Sequence, residues 1–188
     1  MSIEKFRLLS LEKRYKYDVI VGHSAHELLC YIHPESIRIT LFRDPIERIV
    51  SLYYYVKQCK KHPLHSIACH RKMNLERWVN LQVVEDRVSN FYIKYFLGKS
   101  PSELIHPVED AVNLVKENYH IIGVLDRISD FVDTIQDKAL LKCRFKNTKL
   151  NVTKNRPVVD TIPSPVLQEI RNMNYFDIAF YKKIKLLG

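Results

Sequence analysis

Apolar positions along this chain switch between two periods, and the switches divide it into elements. Val19-Ile20-Val21 is an unbroken β-branched run closed by Gly22, the pattern of a buried parallel strand. His26 to Ile32 fits a short helix that stops at His33-Pro34, because a residue before proline avoids the helical region. Ile37 to Phe42 reads as a second strand. The period then changes: Ile46, Ile49, Val50 and Tyr53 recur at helical spacing. Asp44 fits the N-cap of that helix, Pro45 its first position, and Glu47 lies three after the cap, as in a capping box.

Leu75 to Leu97 reads as mostly helical, with Trp78, Val79 and Leu81 apolar early and Phe91 and Tyr95 late. Val108, Ala111, Val112 and Val115 form another amphipathic stripe. Ile121 to Leu125 is a third strand, followed by a helix carrying Phe131, Val132 and Ile135. A proline-punctuated loop follows Asn151 to Arg156, and a final helix covers Val166 to Tyr181. Strands alternating with helices predict an α/β fold with a parallel sheet.

Composition narrows the class. At 188 residues, 46% hydrophobic and 27% charged, the chain fits a single globular domain over residues 1–188. No apolar stretch reaches the ~20 residues that span a bilayer. The start, MSIEKFRLLSLEKRYKY, is too charged for a signal peptide. The net charge of +9 predicts an anionic partner: a nucleotide, a polyanionic glycan, nucleic acid or an acidic surface. Cys30, Cys59, Cys69 and Cys143 follow no disulfide or metal spacing, so a reducing compartment is the simpler expectation. Asn151-Val152-Thr153 is a formal glycosylation sequon that matters only in a secretory protein.

Candidate chemistry gathers at Ile39 to Val56, ITLFRDPIERIVSLYYYV. Ligands of α/β sheets collect beyond the carboxyl ends of strands. Arg43 sits at such an end, beside a helix N-terminus whose dipole favours anions. Ser51 lies three residues after Arg48 on that helix, and an arginine fork with a hydroxyl suits a phosphate. The plainer alternative pairs Arg43 with a nearby carboxylate and leaves Ser51 as a small helix residue. Cys59, His62, His65, Cys69 and His70 invite a zinc reading, but their spacing matches no zinc pattern and no metal is expected. Tyr53-Tyr54-Tyr55 could stack on bases, yet consecutive helical positions point apart, so core and rim positions are the expectation.

RDPIERIVSLYYYV resembles the 3′-phosphate-binding segment of sulfotransferases that use 3′-phosphoadenylyl sulfate (PAPS), in particular the carbohydrate branch with the heparan and uronyl enzymes. The likeness continues in order. VIVGHSAHELL is similar to the family's Gly-His strand end, and HPLHSIACHRKMNLERWV to its variable acceptor-side insert. NFYIKYFLG resembles an Asn-x-Gln-x-Arg-x-Leu helix, and YHIIGVLDRISDFVDTI a late strand and helix. LNVTKNRP and NYFDIAFYKKI are similar to the closing loop and helix.

The resemblance implies a three-layer, P-loop-like parallel sheet flanked by helices. It places Arg43 and Ser51 on the 3′-phosphate, and Thr153, Lys154 and Arg156 in a loop over the nucleotide. His23 falls at the site of the general base, with His26 as a weaker substitute. An imidazole with a pKa near 6.5 can accept a proton from a hydroxyl at neutral pH. PAPS is the implied sulfuryl donor, and a hydroxyl, on a glycan, the implied acceptor. For each of these residues a structural role, such as a bonded strand-end histidine or a solvated basic turn, is the alternative.

Some features depart from the family. No Lys-Thr-Gly-Gly-Thr-like or Lys-x-Gly-Thr-Thr-like stretch for the 5′-phosphosulfate occurs, so the domain is expected to be N-terminally truncated, lacking its first strand and phosphate loop. Tyr92 stands where the family often has Gln, and Lys94, which lacks the planar fork, where it has Arg. Two other function classes stay open. One is a non-catalytic relative that binds a nucleotide or sulfated glycan. The other, nucleic-acid binding, rests on charge and tyrosines alone. The expected compartment is the cytoplasm, or the Golgi lumen if an anchor lies upstream.

Overall fold

The computed structural model describes residues 2–23, 25–138 and 156–187. Two short helices, α1 (Ile3–Arg7) and α2 (Leu11–Arg14), open the chain. Val19 to Val21 follows, and here the structure corrects the sequence reading. The run joins no sheet, and Val19 and Val21 are 65% and 89% exposed. β-Branched residues favour extended backbone, but a strand also needs a partner, and the described sheet holds only two strands. The short helix expected at His26 to Ile32 is a single 3-10 turn over Ala25–Leu28.

β1 (Ile39–Phe42) leads through Arg43 into α3 (Pro45–Gln58). α4 (His65–Ala68) folds back on the end of α3. The stretch read as mostly helical from Leu75 to Leu97 is broken into α5 (Leu75–Val79), α6 (Glu85–Val88) and α7 (Phe91–Leu97). The sharpest break is Asn90, whose φ of 42° and ψ of 49° are left-handed. α8 (Pro107–Asn118), β2 (Ile121–Val124) and α9 (Ile128–Lys138) follow as the periodicity predicts. The final helix is two, α10 (Ser164–Met173) and α11 (Tyr175–Ile184), parted at Asn174.

β1 and β2 pair in parallel, Ile39 with Ile121 through Phe42 with Val124. The arrangement is therefore a helix-dominated α/β one around a small parallel sheet. Phe42 is buried while Ile39 and Leu41, on the other face of β1, are exposed. Gly123 in β2 admits α9: a Cβ there would lie 2.0 Å from the Phe131 ring. The apolar core forms two clusters. One joins α3, α5 and α10 around Trp78, Ile49 and Ile170. The other joins β1, β2, α7, α8 and α11 around Phe42, Ile93 and Phe180. Among the described residues no helix is long and apolar enough to cross a membrane.

Candidate anion site at the end of β1

The turn between β1 and α3 forms as its sequence dictates. Asp44 Oδ1 accepts the N–H groups of Ile46 (2.9 Å) and Glu47 (3.0 Å), and Pro45 opens the helix without a donor to lose. Glu47, however, does not act as the reciprocal member of a capping box. Its carboxylate reaches outward, where Oε2 accepts from Arg43 at 3.1 Å and also from Arg156. Two guanidinium groups, far apart in sequence, thus share one carboxylate oxygen at the start of a helix.

All three side chains are partly open, at 28% for Arg43, 32% for Glu47 and 27% for Arg156. The Nε–H of Arg43 is buried with no acceptor among the described residues. Ser51 lies one turn beyond Glu47, at i+4 and so on the same helix face, half-buried. The plainer sequence reading of Arg43 is met here: it pairs with a carboxylate, at the strand end before α3.

Arg48 is turned to a different use. Its guanidinium lies 4.2 Å from the centroid of the Phe91 ring, near Tyr92, and donates to the carbonyl of Arg87. Burial lowers its pKa, opposed by Tyr92 and Asp177. It braces α3 against α7 and does not join Ser51 in a fork.

α7 also holds the site's backbone. The Tyr92 hydroxyl accepts from the Arg43 N–H (3.2 Å) and donates to the Arg43 carbonyl (2.9 Å). Burial raises the Tyr92 pKa, which keeps the hydroxyl protonated and able to donate. Tyr95, one turn on, donates to the His23 carbonyl at 2.8 Å. The Gly22-His23 turn and the Arg43 turn are thus fixed to neighbouring positions of one short helix.

The His23 side chain is exposed and lines a cavity of about 490 Å³ with Phe6, Tyr17, Val19, Ile20 and Leu28. His26 has a different setting. Its Nδ1 lies 3.0 Å from the Tyr119 hydroxyl, and its ring meets Phe96 edge-on at 4.9 Å. Burial lowers the His26 pKa, against the pull of Glu27, and pushes Tyr119 up to about 12. That bonded, half-buried setting gives His26 a packing role. Thr153 and Lys154, expected over the nucleotide, lie outside the described residues, as do Cys143 and the sequon.

α7 is itself held by an exchange of caps with α11. Asp177, fully buried, accepts the N–H groups of Tyr92 (2.8 Å) and Ile93 (3.0 Å) at the start of α7. Asn90 returns the favour, its Oδ1 accepting from Phe176 (3.1 Å) and Asp177 (3.2 Å) at the start of α11. The sequence reads Glu47 as a capping residue and Tyr95 as an apolar helix position, and does not single out Asp177, because their partners here are set by tertiary contacts.

The cysteine-histidine stretch is knitted locally. His65 Nδ1 meets the Val56 carbonyl at 2.9 Å, and Cys69 Sγ lies 3.7 Å from the His65 ring nitrogens. Among the described residues no group of three or more His, Cys, Asp or Glu is placed to hold a metal. Tyr53 is core, Tyr54 partly buried and Tyr55 exposed, three directions from three adjacent positions.

The sulfotransferase family model matches residues 21–183, which includes the Gly22-His23 turn, the β1–α3 turn, α7 and most of α11. No curated protein and no solved structure matches the chain.

Proposed function

We propose that this chain, which belongs to the sulfotransferase family, binds the 3′-phosphate of a PAPS-type nucleotide at the β1–α3 turn and transfers its sulfuryl group to a carbohydrate hydroxyl. The observation that carries the reading is the convergence of Arg43 and Arg156 at the N-terminus of α3, within a turn of Ser51. Paired guanidiniums supply charge and directed donors, and the helix N-terminus adds a field of the same sign. By the family resemblance, Thr153 and Lys154 would contact the same nucleotide.

In the transfer, the acceptor oxygen attacks sulfur as the S–O bond to the 5′-phosphate breaks. Adenosine 3′,5′-bisphosphate leaves with the electron pair, and the acceptor's proton goes to the His23 imidazole. No residue is assigned to the 5′-phosphosulfate, since no lysine loop of the family type occurs in the sequence.

An anionic glycan is the acceptor best matched to the surface. Between Arg48 and Leu75 the chain has no Asp or Glu, and Lys57, Lys60, Lys61, Arg71 and Lys72 are exposed without an ion-pair partner among the described residues.

Calorimetry with adenosine 3′,5′-bisphosphate and adenosine 5′-phosphate at fixed salt tests the nucleotide site. The bisphosphate is expected to bind more tightly. Arg43→Ala removes a charge-assisted contact worth about 1.5–3 kcal/mol, about 10- to 150-fold in Kd. Equal affinity for both nucleotides, or an unaltered Kd in the variant, would refute the assignment.

A further inference from the structure

Glu47 is placed where a bound anion would be. It occupies the first turn of α3, where the helix field favours negative charge, and it is the shared acceptor of two arginines. Other ion pairs on this surface differ in kind: Lys16–Glu12 and Lys183–Glu109 match one cation to one carboxylate. At Glu47 one negative charge faces two positive ones, so a full positive charge stays uncompensated. The Arg43 Nε–H has no acceptor either among the described residues. The cluster is therefore both electrostatically and in hydrogen bonding incompletely satisfied, and its partial exposure leaves it open to an anion.

We propose that Glu47 is a built-in counter-anion of this site, which an incoming phosphate displaces from Arg43 and Arg156. The inference rests on the anion-site reading given above. With the site empty, Glu47 tethers Arg156 to the start of α3. A phosphate offers each guanidinium its own oxygen and supplies the second negative charge that Glu47 lacks. Once displaced, the Glu47 carboxylate repels the ligand across a short distance, so it lowers the site's affinity and eases product release. Sequence alone reads Glu47 as a capping residue, because the cap spacing is local and Arg156 is remote.

The test is Glu47→Gln, which keeps an acceptor oxygen of the same shape and removes the charge. Inorganic phosphate and adenosine 3′,5′-bisphosphate are titrated by calorimetry into the wild-type chain, Glu47→Gln and Glu47→Asp, each shown to be folded by circular dichroism. Both anions are expected to bind Glu47→Gln about three- to tenfold more tightly than wild type. Glu47→Asp, its carboxylate drawn back by one methylene, should fall between them and serves if the glutamine variant does not fold. If the wild type binds the bisphosphate through Arg43 but Glu47→Gln binds it equally or more weakly, Glu47 merely orients the arginines: the counter-anion role is overturned and the nucleotide reading stands. If phosphate binds more tightly to Glu47→Gln with no preference for a 3′-phosphate, the counter-anion role stands and the nucleotide reading falls. Absence of binding by either anion to the folded variants overturns both.

Discussion

Asp177→Asn isolates a charge buried under the candidate site. The Asp177 carboxylate has no solvent exposure, and burial pushes its pKa from 3.8 up to about 6. The N–H groups of Tyr92 and Ile93, with Arg48 and Lys94, pull the other way and do not win. An acid whose pKa is raised by folding binds its proton more tightly in the native state. Its stabilising contribution is therefore complete below pH 3.8 and is lost as pH rises through about 6. The full span is about 3 kcal/mol at 1.36 kcal/mol per unit. Between pH 7 and pH 5 the wild type gains about 1.3 kcal/mol from this one group.

Asparagine cannot titrate, so this gain is absent from the variant. At pH 7 Asp177→Asn relieves the charge but turns an amide against one of two N–H donors, a cost of about 1–3 kcal/mol. The two effects nearly cancel, and the variant should lie close to wild type. At pH 5 it should be the less stable by about 1.3 kcal/mol more than at pH 7. Urea unfolding of both proteins at pH 7, 6 and 5 reads this as a widening gap in midpoints. A gap that stays constant across the range would refute the raised pKa, and with it the claim that desolvation outweighs the two backbone donors.

Asn90→Ala loses the cap on α11 and leaves the left-handed backbone to a residue without the short polar side chain that eases it, so it should destabilise by about 2–3 kcal/mol. Asn90→Gly keeps the backbone at ease and should cost about 1 kcal/mol; equal losses in urea unfolding would show that the left-handed conformation carries no strain. His23→Ala should lower sulfuryl transfer about 10²- to 10⁴-fold while leaving affinity for adenosine 3′,5′-bisphosphate unchanged, as read by a PAPS transfer assay beside calorimetry. Undiminished transfer would remove His23 as the base.

What the sequence made legible was local. Asp44-Pro45 marks the start of α3 because a cap and an N1 proline act within four residues, and the stripe of Val108, Ala111, Val112 and Val115 marks α8 by period alone. Arg43 could be placed at a strand end for the same reason. The readings that failed, or that missed a break in a helical stretch, depended on distant partners. Val19 to Val21 has the composition of a strand and no strand beside it in the described sheet. The apolar pattern of Leu75 to Leu97 runs on through Asn90, where the chain turns because Asn174 and α11 hold it. Glu47 was spaced as a capping residue and is taken by two arginines, one of them on the other side of α9 in sequence.

These distant contacts explain how a small sheet can support a defined site. α7 is only 7 residues long, too short to be stable by itself. Yet it carries Tyr92, which fixes the Arg43 peptide groups, and Tyr95, which fixes the His23 carbonyl. Arg48, from the helix that begins at the candidate anion site, packs on its first turn. A helix that positions both turns must itself be positioned, and the exchange of caps between Asn90 and Asp177 does so by tying α7 to α11. The burdened buried carboxylate of Asp177 thus contributes orientation where it contributes little stability at neutral pH. An amide replacement can match it in stability at neutral pH, but it satisfies one fewer of the α7 donors and loosens the frame on which the Arg43 and His23 backbones are set.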